Sequence, residues 1–168
     1  MNNSVATTIA QFIILVLVQV LLLNHINFLG YVNPYLYIIF IFLFPIRSNK
    51  SLIIILSFLL GLIIDIFSDS GGIHAAACVT IAYTRPFVLK FSFGMIYEHQ
   101  SIKFNQTELS NRLLYFSILA LIHNFVLSCL EIFNISKIIL ILQKTLFSSI
   151  FTILLCFLIS ILFSKKRR

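Results

Sequence analysis

Gly61, Asp65 and Asp69 stand four residues apart and run directly into Gly71, Gly72 and His74. At that spacing the first three share one face of a helix and its exit. A glycine on such a face lets a neighbouring helix backbone come close. Asp65 falls about one turn inside the end of an apolar segment, where an ionised carboxylate is costly without a partner. The amide N–H groups that open the next helix, around Gly72 to His74, favour negative charge and supply one. Asp65 is therefore either a proton, ion or ligand group, or a brace tying two helices together. The brace is the preferred reading.

Other polar residues inside apolar stretches invite the same question. His74 and Cys78 share a helical face, but no third ligand of suitable spacing accompanies them, so packing or capping is expected for His74. Gln19, His123 and Asn124 lie near the middle of apolar segments, where hydrogen bonds between helices are the expected role. Glu131 and Lys137 flank a short loop and read as solvated, as do Glu98, His99 and Glu108. Cys78, Cys129 and Cys156 sit alone in apolar surroundings, which argues against a disulfide framework or a zinc site. The sequence has no GxSxG, HExxH, Walker-type or GxGxxG pattern. Asp65 and Asp69 lack the enclosed pocket that acid–base work needs, so no enzymatic activity, cofactor or metal is expected.

The elements that must position these residues are helices in a membrane. Of 168 residues 60% are hydrophobic and only 10% charged, with a mean hydropathy of +1.07. A soluble domain carries about 25% charged residues. Apolar runs recur from end to end without the alternation of a membrane barrel, which predicts an all-α polytopic bundle, one integral membrane domain over 1–168. A span takes about 20 apolar residues, and six are expected: 5–28, 29–46, 51–67, 72–93, 109–133 and 138–163. The second is short and thin. The fourth is interrupted by Arg85–Pro86; running it to Phe93 requires Arg85 and Lys90 to reach toward headgroups, and five spans are the alternative. The N-terminal apolar stretch is too long for a cleavable signal.

The net charge of +7 belongs to topology, since basic residues sit between or after the apolar runs. Arg47, Lys50, Arg85, Lys90, Lys103, Arg112 and the 165–168 tail place both termini on the cytoplasmic side, with Lys137 and Lys144 as exceptions. No nucleic-acid partner is implied.

The run Gly61-Leu-Ile-Ile-Asp65, a glycine-bearing turn, then Gly72-Ile-His74-Ala75-Ala76 and Tyr83 before Arg85 resembles the bacterial rod shape-determining MreD family. Pro34 before the second span, Arg47 and the basic C-terminus are similar as well. The resemblance implies a non-enzymatic scaffold of the cell-wall elongation complex in the inner membrane. It also implies a fold similar to the S components of energy-coupling-factor vitamin transporters. The implied partners are the bilayer, an MreC-like bitopic protein and, through it, MreB, a penicillin-binding transpeptidase and RodA. The family element maps to Gly61, Asp65, Gly72 and His74. With Asp69, Ala75 and Ala76 these are structural or partner-binding positions, a small-residue face for a partner's helix. The 95–108 loop lies outside the family pattern. The alternative is a vitamin-binding S component, whose cavity would need Asn24, His25, Asn33, Tyr35, Tyr37 and His74 to converge.

Overall fold

The structure, a computed structural model, describes residues 2–26, 32–46, 48–94 and 107–164. Among them every regular element is helical: α1 (Asn2–Leu21), α2 (Ile39–Leu43), α3 (Lys50–Ser68), α4 (Ile73–Phe93), α5 (Leu109–Ile132) and α6 (Ile138–Ser164). Short 3-10 turns occupy Leu23–His25, Leu36–Ile38 and Ile135–Lys137. Three stretches, Lys50–Ser68, Leu109–Ile132 and Ile135–Ile161, are long and apolar enough to cross a membrane, and Ala6–Leu21 is a shorter apolar helix. Arg47, the 95–106 part of the polar loop and the 165–168 tail lie outside the described residues.

From α3 onward each long helix runs antiparallel to the next. His74 of α4 and His123 of α5 meet the same tyrosine hydroxyl at one level, while Arg85 and Tyr115 meet at another. Glu131 pairs with Lys144 near one end of α5 and α6, and Arg112 bonds Ser160 near the other. The inward faces carry small and polar groups, and the outward faces are apolar. On α6, Ser148, Ser149, Thr152 and Ser160 are buried, whereas Leu146, Ile150, Leu154 and Leu158 point out. Ile66, Tyr83, Phe87 and Phe91 are likewise outward, Phe91 at 74% exposure. Apolar outside with small groups between helices is the arrangement a hydrocarbon surrounding favours.

Two expectations need correcting. The second span, expected as a thin helix over 29–46, is a short helical piece built from Leu36–Ile38 and α2. Pro34 has no N–H to give and biases its predecessor away from the helix, and Phe44, before Pro45, is extended at φ −56° and ψ 141°. The piece is nonetheless deeply buried: Tyr37, Ile38, Ile41 and Phe42 are fully enclosed. It runs inside the bundle, opposite in sense to α1, with Leu36 beside Gln19 and Phe40 edge-on to Phe12. The fourth span, expected over 72–93, is helical from Ile73 through Pro86 to Phe93. Arg85 does not reach outward. It is buried at 4% exposure.

That inward turn has a clear cause. A helical piece this short leaves most of its backbone groups unmet at both ends, and an enclosed apolar setting offers no water to meet them. At the entry, Gln19 of α1 accepts from the N–H groups of Leu36 at 2.9 Å and Tyr37 at 3.4 Å, and donates to the Pro34 carbonyl at 3.1 Å. Thr152 of α6 accepts from the Tyr35 N–H at 3.1 Å. At the exit, the Arg85 guanidinium donates to the carbonyls of Phe42 and Phe44. Tyr115 of α5 donates to the Phe42 carbonyl at 3.1 Å and accepts from Arg85 Nε at 2.9 Å.

Replacing Arg85 with methionine keeps the bulk, takes the guanidinium from the Phe44 carbonyl and leaves the Phe42 carbonyl with Tyr115 alone. Unmet buried groups cost about 1–3 kcal/mol each, so R85M should melt well below the parent in detergent micelles. R85K, which still donates but without the fork, should fall between the two.

Candidate functional site

The α3–α4 junction gathers the residues singled out in the sequence. Asp69 closes α3 in the left-handed region at φ 50°, a conformation aspartate tolerates better than most side chains. Gly71 and Gly72 follow at φ 67° and 98°, where a side chain would be strained. The chain thereby reverses within a few residues, and the first N–H groups of α4 face back toward α3. Asp65, buried at 4% exposure, receives them. Its Oδ1 accepts from the His74 N–H at 3.0 Å and the Ser70 hydroxyl at 2.5 Å, and its Oδ2 accepts from the Ala75 N–H at 2.8 Å. Both oxygens are spent on the joint, which is the geometry of a brace.

One turn earlier, Gly61 provides the close approach. A Cβ built on it would stand 2.5 Å from the Ala75 Cα and 2.6 Å from the His74 carbonyl oxygen. Gly61 is therefore occupied by this chain's own α4. Ala75 and Ala77 are buried with it, and Ala76 alone of the three alanines faces outward. The small-residue face expected for a partner's helix is thus divided, most of it internal.

His74 also belongs to a second arrangement. The Tyr37 hydroxyl lies 2.7 Å from His74 Nδ1 and 2.9 Å from His123 Nε2. The Tyr35 ring stands edge-on to both imidazoles, with centroids 5.5 and 5.6 Å away. A hydroxyl carries one proton, so Tyr37 donates to one histidine and accepts from the other. His123 Nδ1 is buried with no partner. Gln19 and His123 thus bond between elements, whereas Asn124 donates to the Ala120 carbonyl of its own helix at 2.8 Å.

Beside His74 opens a cavity of about 600 Å³. Asn24, Asn33, Tyr35, Asp69, His74 and Glu131 supply its polar lining, and Val20, Phe67, Ile73, Leu127 and Leu130 much of the rest. Four of the residues whose convergence an S-component cavity would need are therefore together, with Tyr37 directly behind His74. The side chain of His25 lies outside the described set. Glu131, read from the sequence as solvated, keeps its side chain 40% exposed while it lines the cavity and pairs with Lys144 at 2.5 Å. The signal for the pairing was available: Glu131 near the end of α5 and Lys144 just inside α6 can meet once two helices joined by a short loop run antiparallel. Among the described residues no three His, Cys, Asp or Glu side chains stand together in a way that could hold a metal ion.

No protein-family model, curated protein or solved structure gives a significant match to the chain.

Two substitutions separate the joint from the histidine bridge. G61A forces a methyl against the α4 backbone, an overpacking that typically costs about 1–3 kcal/mol; the melting temperature should fall. Y37F removes one oxygen and leaves buried imidazole nitrogens on both α4 and α5 unmet, a loss of about 1–3 kcal/mol per group. Thermal melts of both variants in one detergent, with Y83F on the exposed face as the neutral control, check the pair.

Proposed function

We propose that the chain is a non-enzymatic scaffold of the bacterial inner membrane, of the kind the MreD resemblance implies. In this reading it binds an MreC-like bitopic protein and so helps to organise peptidoglycan synthesis and cell shape. The observation that supports it is how the resembling element is used. Gly61 and Asp65 engage the α4 backbone, and Gly72 makes the turn between them. The group in this element best suited to chemistry is thus consumed in holding two helices at a fixed angle. A scaffold needs a rigid body more than a reactive group.

The surface that such a partner would use is the outward face of α4. Ala76, Tyr83, Phe87 and Phe91 are exposed along it, with Thr80 half-buried between. A small residue followed by aromatic ones at helical spacing suits a single transmembrane helix laid alongside. In this reading six spans, with basic loops on the cytoplasmic side, bring the cavity and the Asp65 joint to the outer end of the bundle. In this reading α1 and α4 cross the bilayer with the three longer apolar helices, and the short buried piece makes the sixth passage.

A second reading, a vitamin-binding S component, is favoured by one observation: Asn24, Asn33, Tyr35 and His74 line one cavity. Both readings are decided by recovering tagged protein from its native membrane in mild detergent and identifying what accompanies it. The scaffold reading expects an MreC-like protein with wall-synthesis enzymes, and a clear loss of that partner in A76L at unchanged protein level. Paired ATPases with a coupling subunit would replace it with the uptake reading.

A further inference from the structure

The cavity beside His74 is electrostatically unlike the rest of the chain. The sequence holds twelve lysines and arginines and only five acidic residues. Two of those five, Asp69 and Glu131, line the cavity, and no lysine or arginine of the described residues does. A third, Asp65, braces the wall that carries His74. Glu131 already takes an ammonium group, that of Lys144, at 2.5 Å from just outside the lining. Phe67, Leu127 and Leu130 give the same space an apolar side. Its volume of about 600 Å³ falls inside the usual range for small-molecule sites, about 300–1,000 Å³.

We propose that this cavity binds an organic amine with an apolar body. Asp69, Glu131 and His74 receive the ammonium group, and Phe67, Leu127 and Leu130 cover the body. The assignment goes beyond both readings of cellular role and rests on neither, since a scaffold and an uptake subunit could equally carry a ligand here.

The histidine bridge ties the ligand's charge to the centre of the bundle. His74 Nδ1 is engaged with Tyr37, which leaves Nε2 as the ring nitrogen for a ligand. An ammonium donor needs a lone pair at that nitrogen, so the ring proton sits on Nδ1 and is donated to the Tyr37 oxygen. Tyr37 then donates to His123 Nε2, and the His123 proton lies on Nδ1, the atom with no partner. An anionic ligand would need a proton on His74 Nε2 and would select the opposite tautomer in both rings. No proton is gained or lost in either case. The occupant's sign is therefore written into two imidazoles, one of them fully buried.

The test uses the full chain, labelled with ¹⁵N-histidine, in nanodiscs of phosphatidylcholine and phosphatidylglycerol, which carry no primary amine. Three probes of one shape are titrated: tryptamine as the cation, tryptophol as the neutral form and indole-3-acetate as the anion. Tryptamine is expected to saturate, to bind at least about tenfold more tightly than the other two, and to move the ring ¹⁵N signals of both His74 and His123. D69N keeps a residue that tolerates the left-handed turn and leaves the Glu131–Lys144 pair intact. It should weaken tryptamine by about tenfold, and E131Q should weaken it as well. The proposal is overturned if indole-3-acetate binds as tightly as tryptamine. It is equally overturned if tryptamine shows no saturable binding, or binds D69N as it binds the parent. The partner-recovery experiment above reads none of these signals, so either proposal can fail while the other stands.

Discussion

A short helix buried in an apolar interior carries a debt of unmet backbone groups, and the arrangement of this bundle follows from meeting it. The Leu36–Leu43 piece cannot close its own ends, because a helix of two turns has few internal bonds relative to its orphan groups. Gln19 reaches it from α1, Thr152 from α6, Arg85 from α4 and Tyr115 from α5. Four different helices are therefore held around one strut by polar contacts whose alternatives, in the absence of water, are unsatisfied groups. The apolar packing of Tyr37, Ile38, Ile41 and Phe42 fills the space between these anchors.

The same strut connects the fold to the candidate site. Tyr37 lies one residue past its first anchored N–H and places its hydroxyl between two imidazoles from α4 and α5. Pro34 and Tyr35 just precede it, and Tyr35 forms part of the cavity wall. On the other side, the Asp65 joint sets where α4 begins and hence where His74 stands. The cavity is bounded by two independently fixed pieces of backbone, one pinned by Gln19 and the other by a carboxylate.

Periodicity and composition carried most of the helical architecture. The segments from α3 onward appear close to the expected limits, because long apolar runs bounded by glycine, proline or charge have few other solutions in lipid. The Gly61–Asp65–Gly72 joint was also legible, since spacing by four and a glycine turn dictate who faces whom. Three things were not. A five-residue α2 gives no periodic signal, and its burial depends wholly on side chains distant in sequence. Arg85 reads as a headgroup residue by its charge; the carbonyls of Phe42 and Phe44, some forty residues earlier, and the Tyr115 hydroxyl, 30 residues later, draw it inward. Glu131 sits at a helix end, where solvation is the ordinary expectation, and its place in a cavity wall depends on how α1, α4 and α5 close around a common space.

Arg85 also bears on biogenesis. The strut lies early in the chain, yet three of the four helices that meet its backbone come later, the last of them being α6. As the polypeptide emerges in order, residues 34–46 cannot settle in the interior when they are made. Their backbone polar groups must stay hydrated, or near an aqueous boundary, until α4 delivers the guanidinium and α5 and α6 add their hydroxyls. The bundle is thus completed backwards, with its innermost piece among the last to be enclosed, and a chain halted before α6 would leave that piece uncovered on one side.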